Sequence, residues 1–374
     1  MHIEDQFETI DACRFCFMCR HVCTMGLATG WESDTPRGRA LVLFKVLRGH
    51  AEYDEDLVQS IYRCCLCGVC QTWCKGDYTP PEAILAARRD IVEMGLEPEA
   101  ARQIKQNVLT TGNPFGLPPA DRFKNLELAA PSALSNNGQV LFYVGCHTAY
   151  HQPEIANALL HILQHCGIDV TLLDDETSTG KPLTVLGYHN EAKRMAEMLA
   201  ARIKDSGCRL LVTACPSSFD ALTNDYPAMG IDLGGIEVLH ASQYLDRLIA
   251  QGQLVPSKLL DRAVTVLDSD RLGRFNNIYD EPRRLLQAIP GAELKEMSWT
   301  RDLAHSCGEI GGVLQHLYPE LSLPLANRVL EEAISTSAQV LATSCPVTKQ
   351  SLTKTGNKDI EILDIVELVA KSID

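Results

Sequence analysis

The pattern of apolar and polar positions divides the chain into a helical first part and a longer part in which strands and helices alternate. Residues 37–49 place apolar side chains at helical spacing, and Pro81 and Gly95 mark the start and end of another helix. From residue 139 onward, short apolar runs alternate with segments of helical periodicity. This alternation predicts mainly parallel sheets in an α/β layer fold.

The second part of the chain contains an internal repeat. Residues 209–222, RLLVTACPSSFDAL, are similar to residues 339–352, QVLATSCPVTKQSL, and residues 176–183 correspond in position to residues 305–312. The repeat predicts two α/β halves related by a pseudo-two-fold axis that face each other across a cleft. Because folds of this class bind ligands in loops at the carboxyl ends of strands, the cleft is a candidate site.

Two copies of one cysteine pattern, C-x2-C-x2-C-x3-C, lie in the helical first part. The copies consist of Cys13, Cys16, Cys19 and Cys23, and of Cys64, Cys67, Cys70 and Cys74. This spacing binds one [4Fe–4S] cluster through three thiolates and contributes the fourth thiolate to a second cluster. The predicted ligand sets are therefore Cys13, Cys16, Cys19 and Cys74 for one cluster, and Cys64, Cys67, Cys70 and Cys23 for the other.

Structural zinc is the alternative interpretation of these cysteines, because zinc also binds four thiolates. Zinc sites usually use two C-x2-C pairs, so three evenly spaced cysteines plus a fourth favour iron–sulfur clusters. Thr24 and Lys75 follow the fourth cysteines, where a proline is usual, but proline is not a ligand. Cys65, next to a predicted ligand, is expected to be a spare thiol.

Breaks in composition predict the domain boundaries. Residues 111–122 and 131–138 are rich in turn-forming residues and indicate a linker. We predict a helical two-[4Fe–4S] ferredoxin-like domain followed by a linker and two α/β halves, over residues 1–110, 111–137, 138–255 and 256–374.

The composition of the whole chain narrows the class of function. The 374 residues carry a formal net charge of −14, which argues against nucleic acid as a partner. The chain has no apolar run long enough to span a membrane, and its first residues, MHIEDQFETI, do not resemble a signal peptide. Fifteen cysteines without an export signal favour metal binding over disulfides. The expected location is the cytoplasm, or the cytoplasmic membrane face through partners.

Three segments carry a resemblance to a known family: ESDTPRGRALVL (32–43), RCCLCGVCQTWC (63–74) and GNPFG (112–116). The chain resembles the iron–sulfur subunit of glycolate oxidase, the C subunit of anaerobic glycerol-3-phosphate dehydrogenase and the D subunit of heterodisulfide reductase. The resemblance implies two cysteine-rich "CCG" halves, each with a Cys, a Cys-Cys-Gly and a Cys-Pro-x-Cys segment. It also implies a flavin-containing partner that carries FAD.

This chain departs from the CCG pattern in both halves. The cysteines that remain are Cys146 and Cys215 in the first half, and Cys307 and Cys345 in the second. The residues that stand in place of family cysteines are Ser178, Thr179 and Ser218 in the first half, and Asp270, Ser306 and Thr348 in the second.

Two thiolates in each half cannot by themselves hold a four-iron cluster. One possibility is that the loops bind no cofactor and the four cysteines are small buried residues. Another is that Cys146, Cys215, Cys307 and Cys345 converge on one shared third cluster, with His147 and His305 beside two of them. A third possibility is another metal or haem.

The predicted function is that of an iron–sulfur electron-transfer subunit of a multi-subunit oxidoreductase. Electrons from a flavoprotein dehydrogenase would pass through two [4Fe–4S] clusters to an acceptor such as quinone, with a quinone-binding or membrane-anchor subunit as a further expected partner. The sequence identifies no catalytic residue. The alternatives are a heterodisulfide-reductase-like enzyme with a third metal cofactor, and a binding or assembly module whose degenerate halves act as a scaffold.

Overall fold

The structure is a computed structural model, and it describes residues 1–13, 16–76, 78–127 and 138–373. Most of the predicted break at residues 131–138 therefore lies outside the described residues. Within the described parts of the chain, no helix combines the length and apolar character that crossing a membrane requires.

The first part of the chain is helical, as predicted. Its α-helices are α1 (Phe7–Asp11), α2 (Thr24–Thr29), α3 (Pro36–Leu47), α4 (Glu55–Arg63), α5 (Val69–Trp73), α6 (Pro80–Glu93) and α7 (Glu99–Thr111).

Local sequence signals explain where these helices begin and end. The Thr35 hydroxyl accepts a hydrogen bond from a backbone N–H in the first turn of α3, and the Asp54 carboxylate does the same for α4. Helix α6 begins at Pro80 rather than Pro81, and the chain turns away at Gly95, which has a φ of +70°. The predicted helices over 37–49 and from Pro81 are thus present with slightly different ends.

The first α/β half contains a four-stranded parallel sheet with the strand order β2-β1-β3-β4. Its elements are β1 (Val140–Phe142), α8 (Cys146–His151), α9 (Pro153–His165), β2 (Val170–Thr171), α10 (Lys181–Leu186), α11 (His189–Asp205), β3 (Leu210–Thr213), α12 (Pro216–Asp220), α13 (Tyr226–Ala228), β4 (Glu237–His240) and α14 (Ala241–Ala250).

The second half contains another four-stranded parallel sheet, with the order β6-β5-β7-β8. Its elements are β5 (Arg262–Leu267), α15 (Asp280–Ala288), β6 (Ala292–Leu294), α16 (Leu314–Leu317), α17 (Pro319–Ser335), β7 (Val340–Thr343), α18 (Pro346–Thr353), β8 (Glu361–Asp364) and α19 (Ile365–Lys371). The two sheets have the same order when their strands are counted along each half.

The internal repeat corresponds to one structural unit in each half. Strand β3 leads through Cys215 into α12, and β7 leads through Cys345 into α18, with a proline at the first position of both helices. A single apolar core contains residues of both sheets, among them Val212 and Val266. The predicted α/β fold with parallel sheets is confirmed, while the pseudo-two-fold axis stays a prediction.

The helical first part packs directly on the first α/β half. Its apolar core, which includes Leu43 and Ile61, continues into Leu183 and Leu186 of α10. The cysteine motifs therefore lie on a scaffold whose core is built from both parts of the chain.

Candidate iron–sulfur centres and the cysteine-rich sites

The second cysteine motif surrounds a buried cavity together with one cysteine of the first motif. The thiol-bearing residues that line it include Cys23, Cys64, Cys67 and Cys70. The rest of the lining is largely apolar and includes Pro81 and Ile84. Three cysteines of the second motif thus lie with the last cysteine of the first motif. This is the ligand set predicted when each motif contributes its fourth cysteine to the other cluster.

The first motif surrounds a second cavity, which lies closer to the surface. Its lining includes Cys13, Cys16, Cys19 and Cys74. Cys16 is exposed and the other three are half-buried. Cys70, Tyr78 and Pro80 line both cavities, so the two sites share a wall. We call them the buried cysteine site and the surface cysteine site.

The loops of both motifs direct backbone N–H groups at cysteine sulfur atoms. Cys23 is the N-cap of α2, and its Sγ accepts a hydrogen bond from the Gly26 N–H at 3.4 Å. The Cys74 Sγ accepts one from the Gly76 N–H, also at 3.4 Å. Hydrogen bonds to cluster sulfurs stabilise their negative charge and tune reduction potentials.

Burial disfavours the thiolate form of two predicted ligands, whereas a hydrogen bond from Cys65 lowers the pKa of the Cys67 thiol to about 6. Burial raises the pKa of the Cys23 thiol to about 12 and the pKa of the Cys19 thiol to about 11. Metal ligation deprotonates a thiol outright, because the metal charge replaces the lost solvation. Four soft donors around a largely apolar cavity therefore fit a [4Fe–4S] cluster, and ligation by these residues stays a prediction.

Arg88, fully buried on α6, holds the entry to the second motif. Its guanidinium donates to the backbone carbonyls of Ile61, Tyr62 and Cys64 at 3.0, 3.0 and 2.6 Å. It also donates to the Val185 carbonyl of the first α/β half at 2.6 Å. One side chain thus satisfies carbonyls at the end of α4 and fixes the Cys64 backbone to the neighbouring domain.

Two arginines of the second α/β half hold the loop between Cys64 and Cys70. The Arg271 guanidinium donates to the Leu66 carbonyl at 2.8 Å, and the Arg274 Nε donates to the Cys67 carbonyl at 2.6 Å. The backbone of the buried cysteine site is therefore positioned from both α/β halves.

The family cysteine positions of the first α/β half line one cavity, which Gly311 and Val347 of the second half also line. The residues of the predicted CCG site that line it are Cys146, His147, Ser178, Thr179, Cys215 and Ser218. Arg122 donates to the Cys146 Sγ at 3.4 Å and to the Glu176 carboxylate at 2.8 Å. Burial raises the pKa values of the Cys146 and Cys215 thiols. This first-half cavity offers two protonated thiols among hydroxyl groups.

In the second half, the corresponding positions are filled by an ion-pair and hydrogen-bond network. Asp270 forms an ion pair with Arg274 and accepts a hydrogen bond from the Ser306 hydroxyl. The Thr348 hydroxyl donates to the Glu309 carboxylate at 2.9 Å. Carboxylates, hydroxyls and a guanidinium therefore satisfy one another where the family pattern has thiolates.

The four candidate cysteines of the third site lie in different surroundings. Cys146 and Cys215 line the first-half cavity, whose described lining includes neither Cys307 nor Cys345. Cys307 packs in an apolar core with Leu267 and Val329, and Cys345 is fully buried. The structure thus brings two of the four to one cavity, and a shared cofactor stays a prediction.

The buried arginines of these sites were not predicted from the sequence. Arg39, Arg88 and Arg122 are buried, and so is the side chain of Arg274. Two of them lie in family-like segments, Arg39 in PRGRALVL and Arg274 in DSDRLGR. For Arg39 and Arg88, a charged residue within an apolar segment was the available signal, since a buried charge requires a partner. Arg122 and Arg274 lie in polar segments that give no such signal.

Comparisons with known proteins agree with this organisation. A 4Fe-4S dicluster domain model matches residues 12–78, and a cysteine-rich domain (CCG) model matches residues 140–219 and 264–350. The chain is 28% identical to the D subunit of the dihydromethanophenazine:CoB–CoM heterodisulfide reductase of Methanosarcina acetivorans, over 98% of this chain and 95% of that protein.

Two further likenesses cover smaller shares of the proteins concerned. The chain is 28% identical to the EtfAB:quinone oxidoreductase of Syntrophomonas wolfei, over 70% of this chain and 37% of that protein. A hypothetical protein from Helicobacter pylori shares the fold, with a TM-score of 0.56 and 10% identity over 89% of this chain and 67% of that one. The family models together match more than half of the chain, which therefore joins a 4Fe-4S dicluster domain to cysteine-rich CCG domains and is similar over nearly its whole length to the D subunit of heterodisulfide reductase.

Proposed function

We propose that this protein is the iron–sulfur electron-transfer subunit of a multi-subunit oxidoreductase. In this proposal a flavoprotein dehydrogenase carrying FAD donates electrons, and an acceptor such as quinone receives them. The observation that carries the proposal is the pair of adjoining cavities, each lined by the four cysteines of one predicted ligand set and by one further cysteine. A [4Fe–4S] cluster supplies one-electron chemistry, which divides the two-electron chemistry of a flavin into single steps.

The residues around the two cavities support a relay role. Cys16 brings the surface cysteine site to the protein surface, while Cys23, Cys67 and Cys70 are buried. Tyr78, in the shared wall, is 3% exposed. One site is accessible to a partner and the other is enclosed, as electron entry followed by internal transfer requires.

The relatives support the same class of function. The name of the Syntrophomonas wolfei relative includes quinone as acceptor, and that of the Methanosarcina acetivorans relative describes one subunit of a larger enzyme. For this chain, the quinone, the flavoprotein, the membrane-anchor subunit and the cytoplasmic location are parts of the proposal.

A second candidate function is that of a reductase acting at the first-half cavity. The observation that favours it is the presence of Cys146 and Cys215 at one cavity beside His147. It would require a further metal cofactor or a dithiol there, and the pseudo-two-fold cleft would then be the place of chemistry.

Iron and sulfide content of anaerobically prepared protein, with EPR of the reduced form, tests the proposal. About eight irons and the signals of two coupled clusters are expected. About twelve irons, with a further signal lost on Cys215→Ser, would favour the second candidate. Cys166→Ser, at a half-buried cysteine outside every predicted set, is the matched control. Zinc in place of iron would contradict both.

A further inference from the structure

Three large apolar side chains are exposed within the first cysteine motif or between it and helix α3, and one of them, Met18, lines the surface cysteine site. Phe17 is 59% exposed, Met18 is 39% exposed and Trp31 is 62% exposed. Single exposed apolar residues are common, but a group of them that reaches a functional cavity, as this one does at Met18, indicates an interaction site. Together with two arginines they form what we call the aromatic–basic patch, which consists of Phe17, Met18, Arg20, Trp31 and Arg37.

The arginines join the aromatic residues into one surface. The Arg37 guanidinium lies 4.4 Å from the centroid of the Phe17 ring and donates to the Glu32 carboxylate at 2.5 Å. The Arg20 Nε lies 3.4 Å from the same carboxylate. Trp31 precedes Glu32 in the chain and lies under the Arg63 guanidinium. Stacked arginine and exposed aromatic side chains are typical of protein–protein interfaces.

The aromatic–basic patch adjoins the surface cysteine site. Met18 lines the cavity of the surface cysteine site together with the exposed Lys75, and Cys16 is itself exposed. A partner that covers the patch therefore also covers the place where the predicted cluster comes nearest to solvent.

The charge of the patch differs from that of the whole chain. Arg20, Arg37 and Lys75 are basic, and Glu32 is the carboxylate that both arginines contact. The chain as a whole carries a formal charge of −14. A basic docking face on an acidic protein selects a partner of opposite local charge and orients it at that face.

We infer that the aromatic–basic patch is the docking site for a flavoprotein with an acidic docking face. In the complex the reduced flavin would lose one electron, and the [4Fe–4S] cluster that the surface cysteine site is predicted to hold would gain it, with no bond made or broken in this chain. The inference rests on the proposed function and names the partner chemistry and the point of electron entry. An acidic flavoprotein is favoured over an anionic membrane surface, because the redox site opens at the patch while the rest of the chain repels anionic lipid.

Stopped-flow reduction of the oxidised holoprotein tests the inference, with reduced flavodoxin as the acidic flavoprotein probe. Arg20→Glu and Trp31→Ala are expected to lower the second-order rate by roughly tenfold, and salt should lower the wild-type rate. Arg194→Glu, the same charge change at an exposed position on the first α/β half, should leave the rate unchanged. Reduction by dithionite and the iron content should be equal in all four proteins.

Two results would overturn the docking site. One is a rate of reduction by flavodoxin that stays the same when the salt concentration is raised and in the Arg20→Glu and Trp31→Ala variants. The other is binding of the holoprotein to phosphatidylglycerol vesicles that Arg20→Glu abolishes, which would assign the patch to a membrane surface. Absence of iron, or of any reduction by dithionite, would instead contradict the proposed function itself.

Discussion

Arg274 of the second α/β half donates a hydrogen bond from Nε to the backbone carbonyl of Cys67 at 2.6 Å. The same guanidinium forms an ion pair with Asp270, which stands where the family pattern has a cysteine. Asp270, at a position where the family resemblance implies a cofactor ligand, thus pairs with Arg274, and Arg274 holds the backbone of the buried cysteine site.

Replacement of Arg274 should therefore be costly. Arg274→Leu leaves Asp270 buried without its cation and frees the Cys67 carbonyl, so the free energy of unfolding should fall by about 3–5 kcal/mol. Urea unfolding of the anaerobic holoprotein measures this. Arg284→Leu, which breaks the more exposed pair with Asp246, should cost less than about 1 kcal/mol. Equal losses in the two variants would mean that the Arg274 contacts stabilise the fold no more than an exposed ion pair does.

Exchange of the fourth ligand predicts which cysteine variants act alike. Cys23→Ser should remove the same EPR signal as Cys67→Ser, because both line the buried cysteine site. Cys74→Ser should instead match Cys16→Ser, at the surface cysteine site. Each variant should lower the iron content from about eight to about four. Loss of one signal by both Cys23→Ser and Cys16→Ser would contradict the predicted ligand sets.

Gly68 is expected to tolerate no side chain. Its φ of +80° disfavours an L residue, and an added Cβ would lie 3.0 Å from the Phe275 ring of the second half. Gly68→Ala should lower the unfolding free energy by more than the roughly 1–2 kcal/mol of backbone strain alone. Gly95→Ala is the matched control, since its φ is +70° and nothing lies within 4 Å of the added Cβ. Equal losses of unfolding free energy in Gly68→Ala and Gly95→Ala would show that the Phe275 ring moves aside without a measurable cost.

Asp364 should make stability depend on pH. Burial raises the pKa of this carboxyl to about 8, so the folded state holds its proton more tightly than the unfolded state. Its contribution is favourable below the unfolded value near 4 and is lost as the pH rises towards 8. Asp364→Asn can keep the hydrogen bond from the Val366 N–H and should flatten the fall in unfolding free energy between about pH 5.5 and 8.

Thermal unfolding of both proteins across that pH range provides the measurement. The exposed helix cap Asp54 offers a control, since Asp54→Asn changes the same chemical group at the start of α4. A pH profile that Asp364→Asn leaves as steep as that of the wild type would contradict this prediction.

The sequence alone predicted the features that depend on neighbours along the chain. The spacing of Cys13 to Cys23 and of Cys64 to Cys74 is local, so the two motifs were recognisable from the order of the residues. Helix α3, the strand–cysteine–helix repeat and the parallel sheets follow from periodicity and from proline and glycine at element ends. The pattern also predicted which part of the chain is helical.

Contacts between distant parts of the chain were decided by the tertiary structure. Arg274 and Cys67 are 207 residues apart, and no periodicity relates them. Whether Cys307 meets a cavity or an apolar core depends on how α17 and the strands around it pack, and the structure places it in the core. Spacing along the chain determines which thiols lie near one another in a loop. Long-range packing determines which charged side chains contact that loop and whether a thiol lines a cavity or lies in an apolar core.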